Sequence, residues 1–412
     1  MPRTSGNGGG LSASTLARSD PRRTLYPAAL RHVGNRVALA NQKSGAQTRS
    51  GWRCWQMSYV PLTAIQVGIW NGHINSALSG VETGCGGPLT VALSVEYPLG
   101  TFTRLTWNGA AMGMVADNAV GLTDLVPLPV AIPPYARFRI AGDYRYLSGG
   151  TVPSCGWSNV CDRGMGDEYQ VGTTDDFTMN ATVLGSGPAN AVFPVLVRGR
   201  SDRPVWGVVG DSITAGVGDT LFDPSGGRGL VGRALAEWGP HLNYGVPGDR
   251  ATWYAVGSTR RRQMLALGGA TAAVLQLGIN DITSGRTATQ LAADRATIRS
   301  ALSGVSVYDT TLPPTTSSSD SWRTAANQTV APSSTQRTAF NTALRSGPMP
   351  GSAGVIDIAG HLETSTAFEH GPVLDGGVWN PRFMAGGDGT HPSTAGLIAV
   401  KPVVQAALSV LR

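Results

Sequence analysis

Near residue 203 the hydrophobic pattern of this chain changes period, and that change limits the fold more than any other feature. Before it, apolar and polar residues alternate in short runs: Ala64–Trp70, Leu89–Val95, Phe102–Trp107, Ala136–Ile140, Asn180–Leu184 and Val192–Val197. Gly, Pro and Asn fill the gaps. Successive side chains of a strand point to opposite faces, so such runs predict half-buried strands of a β-sandwich or jelly roll. After residue 203, continuous apolar runs take over: Val205–Val209, Leu242–Val246, Ala272–Leu277, Val305–Leu312 and Gly354–Ile358. They alternate with segments of helical length near 228–238, 255–267, 287–302, 335–345 and 393–411. Strands apolar on both faces are covered on both faces. The alternation predicts a three-layer α/β/α domain on a parallel, flavodoxin-like sheet. The expected organisation is a polar arm over 1–50, an all-β domain over 51–200 and an α/β domain over 203–412.

Composition narrows the classes further. A chain of 412 residues exceeds one ordinary core. No apolar run approaches the ~18 residues of a membrane span. The net charge is +6, yet the only lysines are Lys43 and Lys401. That is an arginine bias of composition, not the footprint of a nucleic-acid partner. The run Arg260-Arg261-Arg262 is expected to be a solvated helix face. The first 50 residues are polar and Gly/Ser/Arg-rich, lack the apolar stretch of a secretory signal and suit a flexible or partner-docked arm. Cys54, Cys85, Cys155 and Cys161 all lie in the first half. Their even number fits two disulfides, with Cys155–Cys161 closing a short loop, or four reduced thiols. Without a Cys-x-x-Cys pair, and with His73 the only histidine nearby, neither a metal nor a cofactor is expected.

The chemistry gathers where the apolar runs end. Gly210-Asp211-Ser212 follows the first run, and Gly245-Val246-Pro247-Gly248-Asp249 follows the second. Gly278-Ile279-Asn280-Asp281 follows the third, and Asp388-Gly389-Thr390-His391 precedes the last helix. On a doubly wound sheet these distant segments converge on one edge. A serine hydroxyl needs a base, a group orienting that base, and donors for the developing oxyanion. His391 is a candidate base and Asp388 its orienter. The N–H groups of Ser212 and Gly248 and the Asn280 amide are candidate oxyanion donors. Asp211 suits support of the serine loop, and Asp281 a structural role. Alone, each segment is an ordinary turn or cap.

Together the four segments resemble blocks I, II, III and V of the SGNH, or GDSL, serine hydrolases. Gly210-Asp211-Ser212-Ile213 stands at block I, Gly248 at block II, Asn280 at block III, and Asp388 with His391 at block V. The resemblance covers residues 203–412. It implies a three-layer α/β/α fold and metal-free hydrolysis of esters or thioesters through an acyl-serine. It leaves the substrate open. The Gly-x-Ser-x-Gly elbow of ordinary α/β-hydrolases is absent.

Two long segments, Pro313–Ser334 and Glu363–Gly387, follow late strands and are expected to overhang the same edge. Trp322 and Trp379 in them suit stacking on a sugar or lining an acyl pocket, or simply anchoring their own loops. Trp70, Trp107, Trp157 and Tyr146 suit a sugar-binding face or a core. The leading expectation is O-deacetylation of a polysaccharide or another small-acyl ester. The pairing of halves is similar to that in polysaccharide deacetylases with a jelly-roll accessory domain. A general carboxylesterase or lipase is the second expectation. The third is a structural or adhesive component of a phage tail or cell surface, oligomeric through its β-half. The first and third place the protein outside the cell or on a virion.

Overall fold

The computed structural model describes residues 26–44, 49–75, 80–146, 150–155, 166–172, 175–185, 194–220, 223–365, 377–384 and 386–409. In the second half, five strands build a parallel sheet: β1 (Trp206–Gly210), β2 (His241–Gly245), β3 (Ala272–Gln276), β4 (Ser306–Thr310) and β5 (Gly354–Ile356). Their order is β2-β1-β3-β4-β5, the flavodoxin-like order expected. Parallel neighbours need crossovers, and helices supply them. Gly229–Leu235 joins β1 to β2, and Ala251–Gly257 with Thr259–Leu267 join β2 to β3. Ala288–Ala301 and Ser334–Arg345 make the next two, and Thr394–Leu408 follows β5.

Alternation along the strands sorts the two faces. Ala273, Leu275 and Val307 share a buried cluster with Tyr254, Leu291, Ile298 and Phe340. Val208, Val274 and Ile356 share another with Leu230, Val231, Leu397 and Val404. The result is three layers, with the carboxyl end of β1 at the point where strand order reverses, the place where such sheets leave a crevice.

The first half is all β. One antiparallel sheet runs Ala29–His32, Leu196–Ser201, Leu62–Trp70, Val120–Leu122, with Val126–Ile132 also pairing to Leu62–Trp70. A second runs Glu168–Val171, Arg49–Met57, Arg137–Tyr146, Leu89–Glu96, Phe102–Leu105, with Gly113–Val115 also on Leu89–Glu96. Val67 and Ile69 of the first sheet and Val91, Leu93 and Ile140 of the second lie in one buried cluster.

Several expectations give way here. Residues 26–44 are not a free arm: Ala29–His32 is a strand, and Val33, Val37 and Leu39 are buried. Residues 1–25 lie outside the described residues. Asn180–Leu184 is not a strand, because its backbone turns to Arg53, whose guanidinium donates to the carbonyls of Phe177, Asn180 and Thr182. The strand expected at Val192–Val197 begins later, at Leu196. Trp70, Trp107 and Tyr146 are buried with the core, so they present no sugar-binding face. Trp157 lies outside the described residues. Cys54, Cys85 and Cys155 are buried and no disulfide joins any two of them, which excludes the two-disulfide arrangement. Cys161 lies outside the described residues.

The halves are welded rather than tethered. The cluster that holds Val33, Leu196 and Val197 of the β-rich half also holds Leu242, Tyr244, Met264 and Leu265 of the second. Tyr244 Oη donates to Val195 O (2.8 Å), and Tyr59 Oη donates to Ala236 O (2.5 Å). The His241 N–H, at the start of the edge strand β2, donates to Gly34 O (3.2 Å). His32 and His241 meet in this junction. Burial pushes the first down to about 3 and the second to about 4, so both rings are neutral near pH 7.

Candidate active site

Ser212 opens the short helix Ser212–Ala215, directly after β1. Asp211 is its N-cap, and the carboxylate accepts the Ile213 N–H at 3.0 Å. The strand-to-helix turn thus presents the Ser212 side chain at the carboxyl edge of the sheet. There Ser212 Oγ lies 2.7 Å from His391 Nε2, and His391 Nδ1 lies 2.6 Å from Asp388 Oδ2. The sequence separation of 179 between serine and histidine is closed by the sheet.

Asp388 is held in its ionised form. Burial opposes the charge, but the His391 ring and the backbone N–H groups of His391 and Thr390 outweigh it and push the carboxyl well below the usual range. A carboxylate so held fixes which ring nitrogen carries the proton. The other nitrogen then faces the hydroxyl as an acceptor. A hydroxyl, imidazole and carboxylate linked in this way can transfer the hydroxyl proton to the ring as oxygen attacks an acyl carbon.

The expected donors lie at the neighbouring strand ends. Gly248 follows β2 with φ +75°, a left-handed turn residue whose N–H no side chain shields. Asn280 lies in the short helix Ile279–Thr283 after β3, half-buried, and its Nδ2 donates to Asp249 O at 3.0 Å. An amide nitrogen carries two hydrogens, so one remains for another acceptor. Asp211, fully buried, has its carboxyl pushed up to about 7, mainly by desolvation. The charges of His391, Asp249 and Asp281 also act on it, which shows how closely the four segments meet. Asp281 accepts the N–H groups of Ala251 (2.8 Å) and Thr252 (3.0 Å), capping helix Ala251–Gly257.

The described parts of both long segments reach this edge and are braced to each other. Thr316–Ser318 pairs with Gln328–Val330, and Glu363–Thr364 with Val378–Trp379. Gln328 joins the two hairpins, donating to Trp379 O (2.7 Å) and accepting the Trp379 N–H (3.0 Å). Trp379 is fully buried and cannot stack on a substrate. Its indole N–H instead donates to Gly389 O (2.8 Å), which also accepts the Thr316 N–H (3.1 Å). Trp379 is therefore a brace for the turn that carries Asp388 and His391. Trp322 is half-buried beside that turn, with its indole N–H on Thr316 Oγ1 at 2.9 Å. Gly389 has φ +81°, and a side chain there would run into the Thr316 carbonyl and the Trp322 ring. Phe368 and His370 lie outside the described residues.

One residue set aside as solvent-facing belongs to the surroundings of this site. Arg261 is fully buried between Asp249 and Glu82 of the β-rich half, so the basic run is not a solvated face. A triplet of arginines gives no local sign of a carboxylate waiting in another domain. Among the described residues, no group of His, Cys, Asp and Glu is placed to hold a metal, and no helix is long and apolar enough to cross a membrane.

Residues 208–397 match the model of the GDSL-like lipase/acylhydrolase family. No curated protein matches the chain. Among solved structures, the chain is similar to a GDSL-like lipase from Bacteroides thetaiotaomicron, at 12% identity and a TM-score of 0.35, covering 50% of this chain and 87% of that one. It is also similar to a lipase/acylhydrolase from Enterococcus faecalis, at 19% identity and a TM-score of 0.34, covering 49% and 94%. A third is a member of the lipolytic G-D-S-L family from Veillonella parvula, at 16% identity and a TM-score of 0.35, covering 50% and 98%. With the parallel sheet and its strand-end serine already described, the family match makes residues 208–397 a GDSL-like lipase/acylhydrolase domain and the chain a serine esterase.

Proposed function

We propose that the chain hydrolyses small-acyl esters through an acyl-serine, with Ser212 as nucleophile, His391 as general base and Asp388 as its orienter. As Ser212 Oγ attacks the ester carbonyl, its proton passes to His391 Nε2. The oxyanion is held by the Ser212 and Gly248 N–H groups and the second Asn280 amide hydrogen. His391 then protonates the leaving alcohol, and water repeats the sequence to release the acid. The observation that carries this reading is the continuous Ser212–His391–Asp388 chain of contacts at 2.7 and 2.6 Å.

The preferred substrate in this reading is an O-acetyl group on a polysaccharide. The support is the polar character of the hairpin beside the triad turn, where Ser318, Thr324 and Asn327 gather around Asp320. Such a rim suits a hydrated alcohol better than a lipid chain. Among the described residues, Trp70, Trp107 and Tyr146 of the β-rich half are buried and offer no aromatic sugar platform.

The test is initial hydrolysis of p-nitrophenyl acetate and octanoate by wild type and by Ser212→Ala. Acetate preferred, with activity lost in the variant, is the expected outcome. Octanoate preferred, with the same loss, moves the substrate to medium-chain esters. Activity that survives in Ser212→Ala overturns the mechanism.

A further inference from the structure

We propose that Glu82, a residue of the β-rich half, is a positioning residue for the oxyanion site of the hydrolase half, acting through Arg261 and Asp249 on the Asn280 amide. The inference rests on the role proposed for Asn280.

Glu82 lies on strand Val81–Gly84, the second strand of a hairpin with Gly72–Asn75. Its carboxylate crosses into the other half and meets the start of helix Thr259–Leu267. Oε2 accepts the Arg260 N–H (2.6 Å) and Oε1 accepts the Arg261 N–H (3.0 Å). Ser258, the residue before that helix, makes no side-chain cap. The cap therefore comes from another domain, with its charge at the favourable end of the helix dipole. Oε1 also accepts Arg261 Nε (3.1 Å). The Arg261 guanidinium, fully buried, stacks at 4.5 Å on Tyr254 and donates to Asp249 Oδ2 and Gly80 O.

Asp249 is thereby fixed at both carboxylate oxygens, since Oδ1 accepts the Arg250 N–H at 3.0 Å. Its backbone closes the turn around Gly248, with the Asp249 N–H on Val246 O at 3.0 Å. Its carbonyl takes one Asn280 amide hydrogen. An amide held by one hydrogen aims the other. The direction of that second N–H is set by where the Asp249 carbonyl sits, and Glu82 stands at the far end of the chain of contacts that places it. Gly80, two residues before Glu82, packs on the same loop. A Cβ there would come within 2.7 Å of the Trp253 ring and 3.1 Å of Asp249 Oδ1. The hairpin is pressed onto the turn as well as bonded to it.

Oxyanion donors act on the transition state more than on bound substrate, so displacement of one lowers kcat and leaves KM little changed. The experiment measures kcat and KM on p-nitrophenyl acetate for wild type, Glu82→Ala, Glu82→Gln, Asn280→Ala and the Glu82→Ala/Asn280→Ala double variant. Melting temperatures verify that each is folded. The expected result is a fall in kcat of about ten- to a hundredfold for Glu82→Ala, the scale of a misplacement of about 1 Å. Glu82→Gln, which keeps the acceptor for Arg261, recovers part of that loss. In the Asn280→Ala background, removal of Glu82 costs little more, because the group it aims is gone. Losses that multiply in the double variant, or a loss seen in KM alone, overturn the proposal. If Asn280→Ala itself leaves kcat unchanged, the oxyanion role of Asn280 falls, and this inference falls with it.

Discussion

Asp211 occupies the position before the serine with one carboxylate oxygen on the Ile213 N–H and the other buried without a partner among the described residues. Its folded-state value of about 7 lies above the ordinary ~3.9 of an aspartate. The folded chain therefore keeps a proton that the unfolded chain releases. The stability this contributes is complete below about pH 4 and is lost as pH rises towards 7. Asp211→Asn keeps an acceptor for Ile213 and is neutral at every pH. Its melting temperature, compared with wild type, is expected to match near pH 4 and to be higher near pH 8. A difference independent of pH would contradict this account. The residues of the proposed mechanism were readable because four segments, each an ordinary turn or cap alone, stand together at strand ends where ligands gather. Glu82 and Arg261 were not. A buried ion pair between residues 179 positions apart leaves no local pattern in either segment.

At the scale of elements, the turn that carries Asp388 and His391 is held by two hairpins. Trp379→Phe keeps most of the ring volume and removes the donor to Gly389 O. The expected effect is a loss of about 1 kcal/mol of stability, the net worth of one hydrogen bond. A fall in kcat accompanies it as the Asp388–His391 geometry loosens. Unchanged kcat beside lowered stability would limit Trp379 to a packing role. Gly389→Ala is expected to be more severe, because backbone at φ +81° and a carbonyl in the way give the new side chain no relaxed position. Circular dichroism on the inactive variant verifies that the sheet persists. The strands and helices of the parallel sheet were legible, since apolar periodicity records burial directly. These hairpins were not. Thr316–Ser318 and Gln328–Val330 carry one apolar residue between them, the exposed Val330, and what fastens them is Gln328 meeting Trp379, 51 residues away. Asn180–Leu184 failed for the opposite reason: it has strand-like alternation, yet its carbonyls are taken by Arg53.

For the molecule as a whole, the change of period near residue 203 marks where one architecture gives way to another, but not how firmly they join. One apolar cluster crosses the boundary, and Tyr59, Tyr244 and Glu82 bond across it. Calorimetry on the full chain is expected to give a single unfolding transition. Two separate transitions would mean the halves are thermodynamically independent. Residues 203–412 expressed alone are expected to aggregate or lose cooperativity, because Leu242 and Tyr244 would face water. The strand near Gly34 has one more effect. Open parallel sheets leave a row of unpaired backbone groups along each outer strand, an invitation to add a further strand from another copy. At β2 the His241 N–H is already taken by Gly34 O. The β-rich half thus acts as a guard at the first backbone donor of that edge, where a strand from another copy would begin to pair.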